Sequence, residues 1–220
     1  MKAVLIYSGG LDSTTLLYEY RESIALAVTF DYGSKHNARE IAYARENCKR
    51  LGVKHLVIPL GFIGQYFKSD LLLSGGDIPE GSYADENMKS TVVPFRNGIM
   101  LAVAAGLAES YELDAVMLAN HSGDHAIYPD CRPEFVEAFD AAAHAGTYNG
   151  VRLVSPYTNI TKGQIAARGR ELGINYARRG RAIRVARSIA ASAAPAWNVR
   201  RHWPKRASLT QRNMRVKGEG

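Results

Sequence analysis

Short apolar runs alternate with longer stretches whose apolar residues recur at helical spacing. Ala3-Val4-Leu5-Ile6 is an unbroken run of strand length, and helically spaced residues follow over 11–22. Ile24 to Phe30 is a second run. A helix is predicted over about 36–51, with Ile41, Ala44, Cys48 and Leu51 on one face and Gly52 as its stop. Lys54 to Pro59 predicts a third strand and Leu113 to Ala119 a fourth, with 98–112 between them apolar on most faces, as in a buried helix. An amphipathic helix over 134–144, a short strand from Val151 to Val154, and a last helix from Thr161 to Leu172 complete the pattern. Strands alternating with helices predict an α/β fold, a doubly wound, Rossmann-like parallel sheet. Residues 60–92 break the rhythm with Gly61, Gly64, Gly75, Gly76, Pro79 and Gly81, and show helical character only at 62–72. They read as an insertion or lid over the site.

The first strand runs into Ser8-Gly9-Gly10-Leu11-Asp12-Ser13-Thr14-Thr15. A Gly-Gly turn between a strand and a helix lets the backbone approach a ligand. The helix N-terminus directs N–H groups and a positive dipole end at it. A phosphate is the natural guest. Neither G-x-x-x-x-G-K-[ST] nor G-x-G-x-x-G is present at this turn.

Further candidates lie where later elements begin. Arg96 and Asn97, after Val93-Pro94-Phe95, open the apolar helix, where the dipole disfavours an arginine. A phosphate or carboxylate facing Arg96 would answer that conflict. Lys162 lies in the first turn of the last helix and is suited to the same kind of anion. The loop from Asn120 to Pro133 leaves the carboxyl end of a core strand and is dense in polar groups. His121, Asp124, His125 and Asp130 lack metal-ligand spacing, so substrate recognition is the stronger reading. His144 reads as a surface or capping residue.

Composition narrows the setting. The chain has 220 residues with 46% hydrophobic content, enough for one sizeable domain. No run reaches the roughly 18 apolar residues of a membrane span, and no signal-peptide pattern is seen at the start. Cys48 and Cys131 provide no disulfide framework and fit a cytoplasmic location. The net charge of +7 is uneven: residues 178–220 carry twelve Lys/Arg and one acid, for +11, and 1–177 carry −4.

The Ser8–Ser13 string resembles the S-G-G-x-D-S loop of the PP-loop ATP pyrophosphatases (adenine nucleotide alpha hydrolase-like). With V-P-F-R-N-G at 93–98, N-H-S-G-D-H-A-I-Y-P-D-C-R-P-E-F at 120–135 and G-T-Y-N-G-V-R-L-V-S-P-Y at 146–157, the chain over 1–177 resembles the 7-cyano-7-deazaguanine synthases of queuosine-precursor biosynthesis. The resemblance implies an ATP-dependent conversion of 7-carboxy-7-deazaguanine and ammonia to the nitrile through adenylated intermediates. It implies ATP binding by Tyr7, Ser8, Gly9, Gly10, Leu11, Asp12, Ser13, Thr14, Thr15, Leu16 and Leu17. Asp12 would hold Mg²⁺, and Asp12, Arg96 and Lys162 would act in catalysis. Substrate contacts are implied for Phe95, Asn97, Asp124, Tyr128, Asp130, Arg132 and Phe135. No specific nucleic acid and no membrane is implied, and a homodimer is left open. The alternatives are another PP-loop ATP pyrophosphatase, tRNA-modifying or amidating, and a catalytically impaired nucleotide-binding remnant.

The tail departs from this resemblance. The family carries Zn²⁺ on four C-terminal cysteines, and this chain has none after Cys131. Codon degeneracy allows the nucleotides for Gly180 to Val199, read one position earlier, to encode four cysteines from the GC of Ala182, Ala190, Ala193 and Ala196, the last three spaced C-x-x-C-x-x-C. A TAA stop is then permitted across Val216 and Lys217. The expectation is a frameshift near Arg178 and Arg179, a disordered basic tail over 178–220, and no zinc ligands in this sequence. The rival is a genuine basic nucleic-acid arm.

Overall fold

The computed structural model describes residues 1–77 and 86–176. The expectations for 178–220, and for the centre of the insertion, lie outside the described residues. Five strands form one parallel sheet: β1 (Ala3–Ile6), β2 (Ile24–Asp31), β3 (Lys54–Pro59), β4 (Ala115–Met117) and β5 (Arg152–Val154), in the order β3-β2-β1-β4-β5. The helices are α1 (Leu11–Glu19), α2 (Asn37–Leu51), α3 (Gly61–Tyr66), α4 (Arg96–Ser110), α5 (Pro133–Gly146) and α6 (Lys162–Glu171).

The pleat of β1 explains the two layers. Ala3, Leu5 and Tyr7 face one side, where α1, α2 and α6 supply Leu16, Leu17, Ala44, Cys48 and Ile165. Val4 and Ile6 face the other, where α4 supplies Met100, Leu101, Ala104 and Ala108, and Ile63 and Ala143 come from α3 and α5. Apolar residues on both faces of a strand require helices on both faces of the sheet. The doubly wound architecture is therefore as expected.

Several boundaries differ for physical reasons. α1 ends at Glu19, not near residue 22, because a 3-10 turn over Arg21–Ser23 leads directly into β2, with the Ile24 N–H on the Tyr20 carbonyl at 3.2 Å. Helix in the insertion stops at Tyr66, short of 72. Beyond it the chain folds back along the end of β2, with Lys35 N–H on Leu71 O, Leu73 N–H on Gly33 O, and a bridge between Ser34 and Leu72. β4 is shorter than predicted because the Leu113 N–H still bonds Ala108 O at the end of α4. By length and composition, Lys89–Ser110 would suffice to cross a membrane, contrary to the sequence reading. It is broken, however: a 3-10 turn ends at Thr91 before α4 begins at Arg96, and α4 packs against β1 and β4. Its apolar faces belong to a core helix.

Candidate active site

Strand order reverses direction on either side of β1, and a crevice opens at the carboxyl ends where it does so. A cleft of about 390 Å³ occupies it. Its walls bring together Tyr7, Ser8, Asp12, Ser13, Arg96, Asn97, Asp124, Tyr128 and Lys162, nine residues picked from four separate stretches of sequence.

The loop after β1 is shaped for an anion. Gly9 has φ +72°, and a Cβ there would stand 2.8 Å from the Glu40 carbonyl oxygen. Gly10 is the N-cap of α1 and offers no side chain. The N–H groups of Leu11, Asp12 and Ser13 have no carbonyl one turn back. Ser8 Oγ accepts from the Gly10 N–H at 3.0 Å and lies 3.1 Å from Ser13 Oγ, placing two hydroxyls beside those donors. This donor set fits the phosphates of a nucleotide.

Only the first turn of α1 belongs to this cradle. Thr14, Thr15, Leu16 and Leu17 are buried, and Leu11, Leu16 and Leu17 join the core cluster beneath the sheet. Thr15 Oγ1 donates to Leu11 O at 2.9 Å and accepts from the Tyr176 hydroxyl at 2.6 Å. Their side chains hold the helix to the sheet. Tyr7 is the floor of the loop. Its phenol accepts from Asn47 Nδ2 at 2.9 Å, and burial raises its pKa. Behind it, Thr29 Oγ1 donates to the Tyr7 carbonyl at 2.6 Å, so His55 Nε2, 2.8 Å away, donates to Thr29. Burial, and then the charge of Arg45, hold His55 below its ordinary pKa. The sequence reading missed this clamp, although Thr29 stands near the end of the second apolar run.

Two cations enter the cleft from helix N-termini. Thr161 caps α6 in a reciprocal box with Gln164, and the next residue, Lys162, places Nζ 3.9 Å from Asp12 Oδ2. Arg96 follows Phe95, whose φ of +50° turns the chain into α4. Its guanidinium donates to the Tyr32 hydroxyl at 3.0 Å and lies 5.5 Å from that ring's centre. Burial would lower the Arg96 pKa, but Tyr32, Tyr128 and Asp130 together hold it above its ordinary value. Arg96 therefore remains a cation in the wall of the cleft.

The acidic residues of the 120–132 loop make bonds within the protein. Asp130 is buried, with Oδ2 accepting the Asn97 N–H at 2.8 Å and Oδ1 3.4 Å from Asn97 Nδ2. Its carboxylate caps α4 and offsets the unfavourable charge of Arg96 there. Asp124 Oδ2 accepts the His121 N–H at 3.1 Å, and His121 Nδ1 accepts the Gly123 N–H at 3.0 Å, closing a capping box. Arg132 Nε donates to His125 O within the loop. Phe95 and Phe135 meet edge to face at 5.8 Å and, with Asp130, line a neighbouring apolar cavity of about 500 Å³ instead of the main cleft. Asp130, Arg132, Phe95 and Phe135 are thus outside the main cleft. Among the described residues no group of three or more His, Cys, Asp or Glu is arranged to hold a metal ion. His144 closes the end of α5, its Nδ1 3.0 Å from Gly150 O.

The family description "Queuosine biosynthesis protein QueC" matches residues 2–180. The chain belongs to this family. It is 67% identical over 175 residues to the 7-cyano-7-deazaguanine synthase of Porphyromonas gingivalis, covering 80% of each chain. It is 51% identical over 178 residues to the synthase of Desulfotalea psychrophila, covering 80% of this chain and 81% of that one. The synthase of Methanoregula boonei is 46% identical over 179 residues, covering 80% and 82%. Among solved structures, the NH3-dependent NAD synthetase from Campylobacter jejuni aligns with a TM-score of 0.45 at 17% identity, covering 80% of this chain and 65% of that chain.

Proposed function

We propose that the chain is a 7-cyano-7-deazaguanine synthase, converting 7-carboxy-7-deazaguanine and ammonia to the nitrile with ATP in queuosine biosynthesis. The observation that carries this reading is the convergence, in one cleft of a QueC-family chain, of an open helix N-terminus with Arg96 and Lys162. A carboxylate oxygen is a poor leaving group. Attack of that oxygen on the α-phosphorus of ATP expels pyrophosphate, and ammonia then displaces AMP to give the amide; the amide oxygen attacks a second ATP, again expelling pyrophosphate, and loss of AMP and a proton leaves the nitrile. Ser8, Gly9, Gly10, Ser13 and the first-turn N–H groups of α1 would hold the phosphates. Arg96 and Lys162 would meet the charge that develops during each transfer. Asn97, Asp124 and Tyr128, which line the same cleft, would read the acid, and the cavity of Phe95 and Phe135 would extend that pocket.

Asp12 is the carboxylate suited to Mg²⁺. A single protein carboxylate together with nucleotide phosphates matches the preference of that ion for few protein ligands. The described residues do not fit Zn²⁺: Cys48 and Cys131 are each buried, and burial pushes the Cys48 thiol up to about 12. The reaction would take a small-molecule substrate, in the cytoplasm.

Incubating the full chain with ATP, Mg²⁺, ammonia and 7-carboxy-7-deazaguanine should yield the nitrile by mass spectrometry. Absence of any product, with the acid unchanged, would sink the reading for this polypeptide. We further propose that the tail arose by loss of one nucleotide near Arg178 and Arg179. In support, the family match ends at residue 180, and a fifth of the Porphyromonas gingivalis synthase lies outside its matched stretch. Resequencing decides it: an intact frame encoding Arg178 onward would overturn this proposal. A frame-restored chain, assayed in parallel, separates a fault in the tail from a fault in the reading of the cleft.

A further inference from the structure

Asn120 lies just beyond the carboxyl end of β4, buried in the wall of the main cleft. Its Nδ2 donates to the Cys131 carbonyl at 2.6 Å. Its Oδ1 accepts from the Ser155 hydroxyl, and Thr158 Oγ1 stands 2.8 Å from Ser155 Oγ to complete the group. One amide therefore bonds two segments that are separate in sequence.

Each segment leads to a cation. Cys131 follows Asp130, whose carboxylate holds the Asn97 N–H in the first turn of α4, next to Arg96. The 155–158 turn leads to Ile160, whose carbonyl is held by both the N–H and the hydroxyl of Ser122 at 3.0 Å. Thr161 and Lys162 come next. We infer that Asn120 is a positioning residue that sets the spacing of Arg96 and Lys162 across the cleft. The inference rests on the synthase reading for what those two cations do. An amide suits the place because it donates on one side and accepts on the other without a charge. A carboxylate would turn an acceptor toward the Cys131 carbonyl. A small side chain would leave that carbonyl without its Asn120 partner and turn the Ser155 hydroxyl over to Leu118 O, 3.2 Å away, so that the two segments lose their link.

The test combines Asn120→Asp, which keeps the volume, with Asn120→Ser, which removes the bonds without adding charge. Both are made in the full chain and in the Lys162→Ala and Arg96→Ala backgrounds, with folding checked by near-ultraviolet circular dichroism. Nitrile formation and ATP affinity by calorimetry are the two readouts. Misplacing a reacting group by about 1 Å costs up to about a hundredfold, so kcat should fall tenfold or more in both Asn120 variants. KM for the acid should move much less. In the Lys162→Ala background the effect of Asn120→Ser on ATP affinity should largely vanish, since residues acting through one another do not add. An undiminished effect there, or a loss of Tm with kcat per folded molecule unchanged, overturns the positioning role. A chain that binds ATP but makes no nitrile overturns the synthase reading alone, and the ATP cycle still decides the role of Asn120. A chain that binds no ATP overturns both.

Discussion

Asp130 shows how a residue's structural role can be hidden in sequence. An acid in a polar loop at a strand end invites assignment to a ligand, and nothing local says otherwise. Its partner, the Asn97 N–H, is 33 residues away in the chain. Only the packing of α4 against that loop reveals a helix cap. Asp130→Asn should therefore act on stability first: it removes the charge facing Arg96 and sets an amide against Asn97 Nδ2. Hydrogen bonds to charged groups contribute about 1.5–3 kcal/mol, and a loss of that order is expected in urea unfolding. Arg96 was legible because its position contradicts the helix dipole, and a residue that violates a local rule often marks a site. Arg96→Ala should lower kcat at least a hundredfold, in the range of about 2.7–4 kcal/mol typical for removing one charge-stabilising donor, with Tm changed little. Retention of more than half the activity would remove Arg96 from the reaction.

The elements themselves were largely readable. The Lys54–Pro59 strand and the start of the last helix at Thr161 stand where the pattern puts them, since hydrophobic period and capping chemistry are local. The irregular stretch after Tyr66 was not, because its shape comes from pairing with residues near Gly33 instead of from its own propensity. At this scale the loop after β1 makes the sharpest predictions. Gly9→Ala would place a Cβ 2.8 Å from a backbone oxygen and hold alanine at a left-handed φ. The conformation alone costs roughly 1–2 kcal/mol. ATP affinity by calorimetry should fall by more than the loss of global stability accounts for, because relief comes from moving the loop. The Thr29–His55 clamp behind it predicts a pH dependence. His55 is held neutral in the folded chain, so at acid pH the unfolded chain binds a proton that the folded one resists. Stability is thus unaffected above the ordinary histidine pKa of about 6.5 and falls as pH drops below it toward the depressed folded value. Thermal melts across pH 7.5 to 5 should show that fall, and His55→Gln should flatten it. Equal slopes in both proteins would discount His55 as its source.

At the scale of the whole molecule, the sheet and the cleft follow from the alternation of strands and helices and from the rule that sites gather at carboxyl ends. The strand order could not be read, because each strand's partner is fixed by tertiary packing. The sequence also holds a contrast that the cleft does not: the cysteines that the resemblance implies as zinc ligands are missing while the Ser8–Ser13 string is in place. Metal analysis of the purified chain should find well under one zinc per molecule, and the frame-restored chain should bind one. A stoichiometric zinc in the unaltered chain would contradict the account of the tail. The central place of β1 has one more consequence, for synthesis. The phosphate loop is among the first segments to leave the ribosome, yet β1 pairs on one side with β4, where Ala3 meets Ala115. A nascent chain arrested before Ala115 carries the whole loop but only one of its two flanking strands. ATP should therefore protect arrested chains from protease only once β4, and the walls that follow it, have emerged.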